Sequence, residues 1–117
     1  MMSGILVYSE LQSTALGLLT KGRELAAGLG KPLAVALLGE GAAAQADACF
    51  AHGASQAYVG NDPALSVFQA GVYAAALAQI VDRAQADIIL TASSRRGREL
   101  APRLATDGFI IKVIRSF

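Results

Sequence analysis

The sequence predicts an α/β fold: a doubly wound parallel sheet with helices on both faces, in three α/β/α layers. Three observations carry this. Five short apolar runs alternate with four segments of helical periodicity, giving the order β-α-β-α-β-α-β-α-β. The runs are continuously apolar, whereas a half-exposed strand would alternate with polar residues, so they fit strands buried on both faces. Helical segments separate them, as the crossovers between parallel strands require. At 117 residues the chain has the length of one ordinary domain, residues 1–117, able to bury a core without disulfides or metals.

The first strand is read at Ile5–Tyr8. In the helix after it, Ala15, Leu18, Leu19, Gly22, Leu25, Ala26 and Leu29 recur at three- and four-residue spacing and form one apolar stripe, with Lys21, Arg23 and Glu24 off it. Ser13 or Thr14 is expected to cap its start, and Gly28 or Gly30 to end it. The second strand is Leu33–Leu38. A second helix is expected from Ala42 to His52, stopped by Gly53 in a left-handed conformation. Ala57–Val59 is the third and shortest strand, and Asn61-Asp62-Pro63 after it is a turn signal. Phe68, Val72, Tyr73, Ala76, Leu77, Ile80 and Val81 then hold a helical stripe up to Ala84. The fourth strand is Asp87–Thr91. The last helix is placed at Gly97–Thr106, where Pro102 removes one backbone bond unless the helix begins late. Phe109–Ile114 closes the chain as an edge strand. Its unpaired backbone and its apolar Ile110, Ile111, Val113 and Ile114 invite a second chain, so a homodimer is expected when the chain is alone.

Composition excludes several classes. Hydrophobic residues make up 54% of the chain and charged ones 16%, the reverse of a disordered tail. A net charge of +1 leaves no electrostatic footprint for nucleic acid or an anionic membrane. A single cysteine excludes an internal disulfide, no Cys/His cluster has zinc spacing, and a reducing, cytoplasmic compartment is expected. No apolar run approaches the roughly 20 residues of a membrane span. The N-terminus lacks the basic start of a signal or transit peptide.

Ligands of open α/β sheets bind beyond the carboxyl ends of the strands, where the strand order reverses. Ser9 and Glu10 follow the first strand, and the most polar stretch, Ser93-Ser94-Arg95-Arg96-Gly97-Arg98, follows the fourth. The latter leads into a helix N-terminus, whose free N–H groups attract anions. Serine hydroxyls and arginines suit phosphate or carboxylate, and Gly97 permits an unusual backbone. These residues are candidates for an anion or nucleotide contact. The competing reading is a capped helix start with solvated arginines, and the spacing fits neither Gly-x-x-x-x-Gly-Lys-Ser/Thr nor Gly-x-Gly-x-x-Gly. Cys49 and Tyr73 are read as core and His52 as a helix C-terminal residue. No paired carboxylates or Ser/His/Asp set is present, so the chain does not read as an enzyme.

Asp87-Ile88-Ile89-Leu90-Thr91-Ala92-Ser93-Ser94, followed by Gly97-Arg98-Glu99-Leu100-Ala101-Pro102-Arg103-Leu104-Ala105, resembles the N-terminal domain of electron transfer flavoprotein alpha subunits. Ile5-Leu6-Val7-Tyr8-Ser9-Glu10 is similar to that family's opening strand. Gly53-Ala54, Tyr58-Val59 and Asp62-Pro63-Ala64-Leu65 are similar to its third-strand region. The resemblance runs from about residue 3 to 105; the tail from Thr106 matches poorly, and Arg95-Arg96 is more basic than the family pattern. It implies a Rossmann-like fold of the adenine-nucleotide alpha hydrolase and universal stress protein group, with strand order 3-2-1-4-5. It also implies a scaffold role in a heterodimeric electron carrier beside a beta-type subunit. FAD would be held by a C-terminal domain that this sequence lacks. A stand-alone domain binding AMP or ATP, as in universal stress proteins, and an inactive fragment are the alternatives left open.

Overall fold

Parallel strands need long connections, and each connection here carries a helix. The computed structural model describes residues 4–8, 12–39, 41–60, 62–92, 95–106 and 110–114, with 12–15, 92, 95–97, 106 and 110–114 described through the backbone. In chain order the elements begin with β1 (Gly4–Tyr8), α1 (Gln12–Leu29) and β2 (Leu33–Leu38). A 3-10 turn (Ala42–Gln45) then runs into α2 (Ala46–Ala51), followed by β3 (Gln56–Gly60). A second 3-10 turn (Pro63–Leu65) leads to α3 (Ala70–Ala84), β4 (Ala86–Ala92), α4 (Arg95–Thr106) and β5 (Ile110–Ile114). The strands form one sheet in the order β3-β2-β1-β4-β5, and every pairing is parallel. This is the order that the family resemblance implied.

Side chains along a strand point alternately to the two faces. Ile5 and Val7 of β1, with Leu33, Val35 and Leu37 of β2, face Leu18, Leu19 and Ala26 of α1 and Cys49 of α2. Leu6 and Tyr8, with Ala34 and Ala36, face Tyr73, Leu77 and Ile80 of α3 and Leu100 and Leu104 of α4. Apolar residues are therefore needed at consecutive positions, which is why β1 and β2 read as unbroken runs. β3 departs from that expectation. Its residues are exposed or half-buried throughout, because it ends the sheet and has a neighbour on one side alone.

Helix α1 lies close on the sheet at Gly22. A Cβ there would come within 2.9 Å of Leu33 Cδ1 and 3.3 Å of Leu90 Cδ1. The helix starts at Gln12, so Ser13 and Thr14 lie inside it. It ends at Gly30 rather than Gly28, with φ 66°. The apolar stripe leaves the sheet in the last turn, where Leu29 is 48% exposed.

The second predicted helix divides. Its first turn tightens to 3-10 geometry, a common form at helix N-termini, before α2 begins at Ala46. Gly53 stops it at φ 108°, and His52 stands at its C-terminus with Nδ1 2.9 Å from the Ala48 carbonyl oxygen. Asp62 organises the turn after β3: its Oδ1 accepts a hydrogen bond from the Ala64 N–H at 2.9 Å, with Pro63 in the first position. Helix α3 then begins at Ala70, so Phe68 precedes it and packs edge-on against Tyr73 at 4.9 Å. Helix α4 begins at Arg95, two residues earlier than predicted, which leaves Pro102 in its interior. Lys31 and Asp87, distant in sequence, form an ion pair on the opposite rim from the carboxyl ends of the strands. With both side chains partly exposed, such a pair contributes at most about 1 kcal/mol.

Candidate functional site

The strand order reverses between β1 and β4. These two strands lie side by side in register from Ile5↔Ile88 to Tyr8↔Thr91, so their carboxyl ends share one rim. Across the sheet that rim runs from Gly60 through Leu38, Tyr8 and Ala92 to Ile114. Helix α4 starts at Arg95, three residues on from the end of β4 at Ala92, which places its unpaired N–H groups and positive dipole end on the side of the crevice.

The rim is rigid beneath. Tyr73 donates from its hydroxyl to the Leu65 carbonyl oxygen at 2.6 Å and meets the Tyr8 ring edge-on at 6.5 Å. Both tyrosines are buried in the core. Beside them the chain leaves β2 through a tight turn. Gly39 takes φ 109°, which favours glycine, and its N–H donates to the Gly60 carbonyl oxygen at 2.8 Å. That bond ties the ends of β2 and β3 together. Burial raises the pKa of the Cys49 thiol, which packs between α2 and the sheet as expected of a core cysteine.

The candidate residues fall unevenly on this frame. Arg95, Arg96 and Gly97 form the first turn of α4, and Arg98 is exposed on the same helix. Arg95 and Arg96 therefore belong to the helix, which the sequence started at Gly97. Ser9, Glu10, Ser93 and Ser94 lie outside the described residues. What the described rim offers is the backbone N–H groups at the start of α4, which suit an anion. No group of three His, Cys, Asp or Glu side chains among the described residues is placed to hold a metal ion.

A family model for the electron transfer flavoprotein domain matches residues 7–107. The chain belongs to that family. It is 32% identical to the electron transfer flavoprotein subunit alpha of Clostridium acetobutylicum, over 82% of this chain and 29% of that protein. It is 32% identical to subunit LctC of the lactate dehydrogenase (NAD(+),ferredoxin) of Acetobacterium woodii, over 87% of this chain and 26% of that protein. To the electron transfer flavoprotein subunit alpha of Megasphaera elsdenii it is 30% identical, over 87% of this chain and 32% of that protein. The chain thus spans about a quarter to a third of the length of the relatives it matches. Among solved structures, a universal stress protein in complex with cAMP has the same fold, with TM-score 0.61, 97% coverage of both chains and 17% identity.

Two features of the domain have no signal in the sequence. One is the Gly39–Gly60 tie. The other is a groove of about 400 Å³ between β3 and α3, lined by Tyr58, Gly60, Asp62, Leu65, Ile80 and Arg83 among others. The Asp62-Pro63 turn signal was visible, but it carried no hint that α3 would leave β3 half uncovered. No helix among the described residues is long and apolar enough to cross a membrane.

Proposed function

We propose that this chain is an alpha-type scaffold domain of a heterodimeric electron carrier, docking against a beta-type subunit and not holding flavin by itself. The observation that carries this reading is the match to alpha subunits at 30–32% identity over 82–87% of the chain. In this reading the domain is an interaction module with no catalytic step of its own, working in the cytoplasm, where its free Cys49 stays reduced. The test is co-expression of the tagged chain with a beta-type electron transfer flavoprotein subunit. A one-to-one complex is expected, and FAD titrated into the chain alone should leave its melting temperature unmoved. Failure to co-purify, or saturable FAD binding by the isolated chain, contradicts the proposal.

A second reading is favoured by one observation, the shared fold with a universal stress protein solved with cAMP. Here the β1–β4 crevice binds an adenine nucleotide such as AMP or ATP. Ser9, Glu10, Ser93, Ser94, Arg95, Arg96, Gly97 and Arg98 provide its contacts. A nucleotide at a hundredfold excess over its dissociation constant would then stabilise the fold by about 2.7 kcal/mol. No thermal shift with either nucleotide removes this reading.

A further inference from the structure

The edge of the sheet at β3 is open in three respects. β3 ends the strand order, so among the described residues one row of its backbone N–H and C=O groups faces no strand. Its sequence, Gln56-Ala57-Tyr58-Val59-Gly60, has neither the charge nor the proline with which exposed edges are commonly blunted, and Val59 is 42% exposed. Helix α3 packs over β1, β2 and β4, leaving the groove beside it uncovered.

The two ends of that groove carry opposite charges. Helix α3 runs antiparallel to β3: it begins just past the turn that follows Gly60, and its last residue, Ala84, lies near Gln56 at the other rim. Asp62 therefore stands at the carboxyl end of β3, and Arg83, in the last turn of α3, toward the amino end. Both are exposed, and neither has an ion-pair partner among the described residues.

We propose that this edge is the interface of a two-fold symmetric homodimer, in which β3 pairs antiparallel with β3 of a second copy. The occupant is a second copy because the groove is complementary to itself when inverted. An axis perpendicular to the sheet and passing near Tyr58 keeps both α3 helices on one face. It turns Asp62 of each copy toward Arg83 of the other, so two such contacts form at once. Ala57 then lies opposite Val59 of the second copy, and the two Tyr58 side chains face each other across the axis. The sequence placed self-association at the last strand; the complementary charges place it at the opposite edge. This inference is independent of the electron-carrier reading.

The experiment is light scattering of the full chain, with each variant's helix content checked by circular dichroism. The expected mass is twice 12.0 kDa at high concentration. Arg83→Glu sets two acidic groups against each other at each end and should weaken the dimer by about tenfold or more. Combining it with Asp62→Arg restores complementarity and should bring the dimer back. Val59→Pro, which blocks strand addition at the edge, should yield a monomer. A monomer at every concentration overturns the proposal. So does a dimer that neither Arg83→Glu nor Val59→Pro disturbs.

Discussion

β1 and β3 are strands of five residues each, both rich in apolar side chains, both parallel to β2, yet they do different work. Every residue of β1 is buried, because strands flank it on both sides and helices cover both faces. β3 has one strand neighbour and a half-covered face. Composition does not separate them; position in the strand order does. The centre supplies stability, and the edge is left free for recognition.

The largest contrast is expected from truncation. Leu6→Ala at the centre removes a side chain buried on all sides and should cost about 2–5 kcal/mol in chemical denaturation. Val59→Ala at the edge should cost less than about 1 kcal/mol in the monomer. Equal losses would break the comparison. Next in size is Gly22→Val, which drives new methyl groups into Leu33 and Leu90 where α1 seats on the central strands. It should destabilise by about 1–3 kcal/mol, read as a lower denaturation midpoint.

On α3, Tyr73→Phe removes the hydroxyl that donates to the Leu65 carbonyl oxygen. A loss of about 0.5–1.5 kcal/mol is expected, with nucleotide response unchanged. The smallest effect concerns Cys49. Burial raises its thiol pKa in the fold, so the folded state holds the proton more tightly than the unfolded chain. The associated stability is fully present below the unfolded thiol value and is lost as pH rises through the folded one. Labelling by a thiol reagent should be slow in the native protein and fast in denaturant.

The same contrast explains what the sequence could disclose. Ile5–Tyr8 and Leu33–Leu38 were legible because strands buried on both faces need consecutive apolar residues. The stripe of Leu18, Leu19, Gly22 and Ala26 was legible because a helix on a sheet needs one face. The exposure of β3 was not, since Ala57–Val59 looks as apolar as a central strand until the strand order is known. The early start of α4 was hidden by Arg95-Arg96-Gly97, which carry turn-like polarity and a glycine into a helix. The Lys31–Asp87 pair joins segments that only the fold brings together. At the candidate site, the adjacency of β1 and β4 followed from the family resemblance.

Hydrogen exchange read strand by strand, at low and high protein concentration, tests most directly whether the centre holds the fold while the β3 edge is kept for association. The amides of β1 and β4 should exchange only through global opening at both concentrations, while those of β3 exchange quickly when dilute and gain protection as the chain concentrates. Rapid exchange in β1, or concentration-dependent protection confined to β5, would contradict it.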